Sequence, residues 1–85
     1  MWYVYVLKSD KAGKIYTGFT GDLKRRLYEH NIGKVNSTKC LKPLKLIYYE
    51  AFLSKQDAQE EERFLKSGYG REVLHSKIEN SLKYE

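Results

Sequence analysis

Met1-Trp-Tyr-Val-Tyr-Val-Leu-Lys8 and Lys14-Ile-Tyr-Thr-Gly-Phe-Thr20 are the two runs on which the reading of this chain turns. Both are rich in aromatic and β-branched side chains, which suit a pleated, half-buried surface. Between them Ser9-Asp-Lys-Ala-Gly13 is a cluster of turn formers, so the two runs read as a β-hairpin. Trp2, Val4 and Val6 fall on one face of the first strand, and Tyr3, Tyr5 and Leu7 on the other. A strand that is apolar on both sides belongs in the middle of a sheet. Any even-length loop places Tyr5 and Tyr16 on the same face. A turn centred between Asp10 and Lys11 sets the two phenols directly opposite one another, and a bulge at Gly13 would undo that. Gly18 marks a point where a bulge, another backbone or a ligand approaches the second strand closely.

After the hairpin, Thr20 reads as the cap of a first helix, Asp22–His30, with Asp22 in its first turn and a stop near Gly33. Residues 31–43 turn polar and basic. This loop is longer than an ordinary connection, which makes it a candidate binding segment. Leu44–Phe52 is a third strand, set off by Pro43. Ser54-Lys-Gln-Asp57 has the capping-box pattern, with Leu53 and Ala58 placed as a hydrophobic staple. The second helix then runs to about Ser67, with Gly68 as its left-handed stop. Val73, Leu74, Ile78 and Leu82 give residues 71–83 a weaker helical pattern. The expected fold is α+β, a small three-stranded, mostly antiparallel sheet flanked by helices in the order β-β-α-β-α-α.

Eighty-five residues leave room for one domain, spanning 1–85. One cysteine, Cys40, excludes an internal disulfide, and no Cys/His set has zinc-site spacing. Stability therefore rests on packing, and a lone thiol fits a reducing cytoplasm. The first residues already read as strand rather than as a targeting signal, and no apolar run approaches membrane-spanning length. The formal charge of +5 favours polyanions, of which nucleic acid is the commonest in a cytoplasm.

Several side chains stand out chemically. Ala58, Glu62 and Leu65 share one face of the second helix, so Glu62 lies in the stripe that should meet the sheet. A carboxylate there needs a cation, a metal or several donors, and Lys66 one turn on supplies the plain alternative of a salt bridge. Glu60 and Glu61 read as a solvated acidic face. Arg26 and His30 project from one face of the first helix; Asp22, four residues before Arg26, is its obvious surface partner. Lys24, Arg25 and Arg26 near the helix start make a phosphate-binding patch. Most of the eight tyrosines serve packing, although a phenol beside cations or a metal can act as a base.

Taken together, Tyr3-Val-Tyr5, Tyr16-Thr-Gly18, an arginine ten residues after Tyr16, and a helical Glu62 followed by Lys66 resemble the GIY-YIG nuclease family. The likeness is to its small, single-domain bacterial members, akin to the nuclease domain of the excision-repair excinuclease. It covers nearly the whole chain and includes Tyr16–His30, Thr38, Pro43 and Leu46-Ile-Tyr-Tyr-Glu50. Tyr-Val-Tyr stands where the family has Gly-Ile-Tyr, and Tyr-Thr-Gly where it has Tyr-Ile-Gly. The resemblance implies that Tyr5 is a candidate general base and that Tyr16 positions the water or the scissile phosphate. It implies further that Arg26 neutralises phosphoryl charge and that His30 assists proton transfer or touches phosphate. Glu62 would be the ligand of a single divalent ion, Mg²⁺ or Mn²⁺. Lys24, Arg25, Lys34, Lys39, Lys66 and Arg71 would contact nucleic acid. No match is assigned to the family's late asparagine.

The activity so implied is metal-dependent, endonucleolytic hydrolysis of phosphodiester bonds in DNA, that is nicking, in repair or recombination. RNA is an alternative substrate. Phosphate contacts position a duplex without reading it, so sequence specificity would come from a partner protein. The competing readings are a non-catalytic nucleic-acid-binding module of the same fold and an adaptor that uses the aromatic surface to bind protein.

Overall fold

The computed structural model describes residues 1–84. Strands β1 (Trp2–Ser9), β2 (Ile15–Thr20) and β3 (Leu44–Phe52) form one antiparallel sheet in the order β2-β1-β3. Helix α1 (Leu23–Asn31) lies between β2 and β3 in the chain; α2 (Lys55–Lys66), α3 (Gly68–Lys77) and a last turn, α4 (Glu79–Leu82), follow β3. This is the expected α+β order, with the final helical stretch beginning earlier and breaking at Ile78.

Double-sided β1 explains the architecture. Val4 and Val6 enter a core with Ala58, Leu65, Leu74 and Ile78 from α2, α3 and the α3–α4 junction. Tyr5 and Leu7, on the other face, pack with Leu44, Leu23 and Leu27 beneath α1. Burying both faces removes four side chains of β1 almost wholly from water, at roughly 1.5–3 kcal/mol for each large apolar group. Edge strand β2 is left with one side unpaired by any strand.

Several local expectations are corrected. Ser9 faces Lys14 across a four-residue loop, closed by the Gly13 N–H donating to the Ser9 carbonyl at 2.8 Å. Gly13 takes φ +65 there, and the Ser9 hydroxyl accepts from the Ala12 N–H. The hairpin therefore pairs Tyr5 with Gly18 and Leu7 with Tyr16. The two phenols share a face, as parity requires, but lie diagonally and not opposite. Asp22, not Thr20, caps α1 by accepting from the Arg25 N–H; the Thr20 hydroxyl instead accepts from the Asp22 N–H. The Ser54 cap forms, accepting from Asp57, but Leu53 is 88% exposed and makes no staple. Ala58 packs into the β1 core instead, and Phe52 is the corner residue that turns inward.

Gly68 is not a left-handed stop. Extended Ser67 ends α2 and caps α3, its hydroxyl accepting from the Gly70 N–H at 3.1 Å. Gly70 is the glycine this corner demands, since a Cβ there would strike the Phe64 carbonyl.

Loop 32–43 is pinned at three points. The Asn31 side chain accepts from the Leu44 N–H at 2.7 Å and donates to the Leu44 carbonyl at 3.0 Å. The Ser9 hydroxyl donates to the Leu41 carbonyl, and Thr38 is fully buried against His30.

Candidate active site

Strand geometry builds the centre of the site. Tyr5 extends from β1 across Gly18 of its neighbour, where any Cβ would collide with the phenol. The close approach anticipated at Gly18 is thus made by a tyrosine ring. Tyr16, two residues along β2, sets its ring centroid 6.4 Å from that of Tyr5. His30, at the end of α1, meets both edge-on, at 5.7 Å from Tyr5 and 5.1 Å from Tyr16. Three aromatic rings from β1, β2 and α1 are therefore in mutual contact.

His30 is wholly enclosed. Its Nε2 shares a 2.8 Å hydrogen bond with the Tyr5 hydroxyl and its Nδ1 a 2.7 Å bond with the Thr38 hydroxyl. Both ring nitrogens are engaged by protein, so His30 acts on anything outside through Tyr5. Burial pushes the imidazole pKa down; Arg26 adds to this, and Glu29 opposes it. Burial likewise pushes the Tyr5 phenol up to about 12, against the pull of the Arg26 guanidinium beside it. At neutral pH both side chains are uncharged.

Arg26 reaches this group from α1. Its partner is Glu29, at 3.1 Å, rather than the expected Asp22, which is occupied as the helix cap. Its guanidinium is held more firmly protonated by Tyr5, with Glu29 adding to the effect. Arg25 also pairs with Glu29, at 3.3 Å.

Glu62 comes from α2. Its side chain is about a fifth exposed, and Oε2 accepts from Lys66 Nζ at 3.0 Å. Lys66 in turn stands over the Tyr16 ring, 5.9 Å from its centroid. The salt bridge anticipated for Glu62 exists, and it lies beside the tyrosines: the Glu62 charge is felt at Tyr5. Glu61 is the unexpected carboxylate. It is partly buried beside Glu50 of β3, on the opposite side of the sheet from Tyr5.

No group of three or more His, Cys, Asp or Glu side chains converges on a point among the described residues. An all-protein metal cage is therefore not built here. A single carboxylate with one oxygen taken by lysine does fit an ion such as Mg²⁺, which keeps several waters and takes substrate oxygens as ligands.

The basic residues singled out in the sequence separate in space. Lys66 and Arg71 line one groove with Tyr16 along the edge of β2. Lys24 lines another, with Tyr3, Leu23, Leu27, Leu46 and Tyr49. Lys34 and Lys39 are exposed on loop 32–43 and line neither. Sequence reasoning gave Thr38 no role, although its hydroxyl orients His30. A buried threonine inside a polar loop carries no periodic signal that would mark it.

Against known proteins, residues 1–78 match the GIY-YIG catalytic domain. A UPF0213 protein of Streptococcus agalactiae is 49% identical over 65 residues, covering 75% of this chain and 73% of that protein. A UPF0213 protein of Clostridium perfringens is 37% identical over 86 residues, covering 100% of this chain and 91% of the relative. The solution NMR structure of a UPF0213 protein from Bacillus halodurans superposes with a TM-score of 0.55 at 38% identity, covering 89% of this chain and 84% of that one. With residues 1–78 of 85 inside the domain match, and with these relatives, the chain belongs to the GIY-YIG catalytic domain family, a nuclease-type family.

Proposed function

We propose that this protein is a metal-dependent endonuclease that nicks DNA. The observation that carries the proposal is the meeting of Tyr5, Tyr16, His30 and Arg26, from three elements, next to the Glu62–Lys66 pair of a fourth.

Hydrolysis needs a water stripped of a proton, charge stabilisation at phosphorus and a leaving oxygen that is helped away. Burial divides these tasks differently from the sequence expectation. Tyr5 is 1% exposed, bonded to His30 and pushed up to about 12, which is the wrong direction for a base. Tyr16 is part exposed, lines the open groove and has the Lys66 ammonium over its ring. Tyr16, having first given its own proton to solvent and standing as phenolate beside the Lys66 ammonium, therefore takes the proton of the attacking water while the water oxygen bonds to phosphorus. Arg26 faces the phosphoryl oxygens on which negative charge builds. One P–O ester bond of the diester breaks, and the departing oxygen takes a proton from solvent. Tyr5, His30 and Thr38 form a buried hydrogen-bonded row that fixes the platform beneath Tyr16 and Arg26. Glu62 would hold a divalent ion, Mg²⁺ or Mn²⁺, which supplies Lewis-acid stabilisation of the phosphoryl group when bound.

A nicking assay on supercoiled DNA with Mg²⁺ or Mn²⁺ tests this reading. Wild type should yield open circles. Tyr16→Phe, Arg26→Ala and Glu62→Ala should each slow nicking by about 10²–10⁴-fold. Tyr5→Phe, losing one buried hydrogen bond, should slow it by about tenfold. Equal cutting by wild type and all variants, or no cutting of any DNA by wild type, would sink the proposal.

A further inference from the structure

We infer that the groove along the free edge of β2 is a seat for the sugar–phosphate backbone of the strand being cut, with Lys14, Arg71 and His75 as its phosphate contacts. The inference rests on the nuclease reading above and gives that site a direction. The groove encloses about 750 Å³ and runs between the hairpin turn at Gly13 and the α2–α3 corner. Lys8, Lys14, Lys66, Arg71 and His75 line it, and among the described residues no carboxylate does. Outside the groove Arg25 and Arg26 share Glu29, and Lys77 approaches Glu50. Scattered surface lysines such as Lys24, Lys34 and Lys39 stand without an ion pair among the described residues but line no common channel with one another. Within the groove Lys66 has Glu62, and Lys8 donates to the Leu82 carbonyl at 2.8 Å. Lys14, Arg71 and His75 have no carboxylate within ion-pair distance among the described residues, and all three are exposed.

Two unneutralised cations, Lys14 and Arg71, with the His75 imidazole as a further polar contact along one open channel, raise the local concentration of a polyanion and favour a ligand that carries several charges in a row. Tyr16 is both a wall of the channel and a member of the aromatic cluster, so a strand lying in it brings a phosphate beside Tyr16 and the Lys66–Glu62 pair. Lys34 and Lys39, on loop 32–43, lie off this track and are not contacts. Three groove residues, Lys14, His75 and Lys8, escaped sequence reasoning because they lie on the hairpin turn, α3 and β1, and only the fold brings them together.

Fluorescence anisotropy of a labelled DNA oligonucleotide, measured in EDTA over a salt series, separates binding from cutting. The Lys14→Ala/Arg71→Ala double variant should bind about tenfold more weakly, with the slope of log K against log salt reduced by about 1.5. Lys34→Ala/Lys39→Ala should bind like wild type. Lys14→Arg/Arg71→Lys, which keeps both charges, should restore affinity and slope. In the nicking assay the first pair should raise KM and leave kcat unchanged. Unaltered affinity in the first pair, or an equal loss in the Lys34/Lys39 pair, would overturn the inference while leaving the nuclease reading in place. So would poly-glutamate that binds as tightly as DNA with the same dependence on Lys14 and Arg71. Absent nicking with the predicted binding loss would remove the nuclease reading and keep the groove.

Discussion

At the residue scale the site depends on one missing side chain and one buried ring. Gly18 has no Cβ, and the space is filled by the Tyr5 phenol. Gly18→Ala must push that ring aside, and overpacking of this kind costs about 1–3 kcal/mol. For a chain this short we expect thermal denaturation at least about 4 °C lower, together with a loss of nicking as large as that of Tyr5→Phe. His30 has the opposite character, since it is stable only when neutral. Its folded pKa lies below the ordinary 6.5, through burial first and Arg26 second. In the unfolded chain it titrates near its ordinary value, so below that pH the unfolded state binds more protons. This contribution to stability is full above pH about 6.5 and is lost as pH falls toward the folded pKa. Urea unfolding should therefore show the stability gap between wild type and His30→Gln narrowing from pH 7.5 down to 5. A gap that stays constant over that range would show that His30 is not the group taking up the proton.

At the scale of elements, the join between α1 and β3 is carried by a residue that sequence reasoning passed over. Asn31 closes a two-way bridge with the backbone of Leu44, in addition to ending α1. Asn31→Ala leaves a buried-side backbone donor and acceptor unpaired, at about 1–3 kcal/mol. Calorimetry should find the midpoint lowered, with Asn31→Asp intermediate because it retains the acceptor and loses the donor. The strands themselves were legible. Two-sided β1 announced a central position, and Pro43 set off the start of β3, Leu44–Phe52. Tyr5 and Tyr16 were assigned to one face by parity, which survives any loop of even length. Their diagonal offset was not legible, because four loop residues rather than two come from the Ser9 and Gly13 hydrogen bonds. Gly68 misled for a related reason. A glycine after a helix signals a left-handed stop only if the residue before it is not itself a cap, and Ser67 caps the next helix. Of the candidate site, Tyr5, Tyr16, Arg26, His30 and Glu62 were named through the family resemblance, spacing alone leaving Arg26 and Glu62 with plain ion-pair readings. Which phenol is enclosed and which meets the groove depends on packing by α1 and by Thr38, and strand periodicity carries no trace of that.

For the whole molecule, the sheet separates two titrating clusters. On the face away from Tyr5, Glu50 of β3, Glu61 of α2, Lys77 of α3 and Tyr48 of β3 come together. Lys77 lies 3.8 Å from Glu50 and donates to the Tyr48 hydroxyl at 3.2 Å. Oε1 of Glu50 is buried without a hydrogen-bond partner. A proton shared between Glu61 and Glu50 relieves the pair, and the Glu61 pKa is pushed up to about 7, first by the hydrogen bond to Glu50, then by burial and by the Glu50 charge, with Lys77 opposing. Relative to its ordinary 4.5, the folded chain therefore binds the extra proton between the two values. Stability from this pair is full below pH about 4.5 and is lost as pH rises through about 7. His30 changes stability in the opposite sense over an overlapping range, so the two slopes offset each other and wild type should show a shallow profile on the acid side of neutrality. Substitution should take the two slopes apart. Glu61→Gln keeps a donor for Glu50 at every pH, so its stability should stop falling between pH 5 and 8 while the acid decline due to His30 emerges. The double variant with His30→Gln should be nearly flat across that range, because the two groups lie on opposite faces of the sheet and their effects should add. Urea denaturation of the four proteins at pH 5, 6, 7 and 8 decides the matter: an alkaline decline that persists in Glu61→Gln would show that the Glu50–Glu61 pair does not hold the proton.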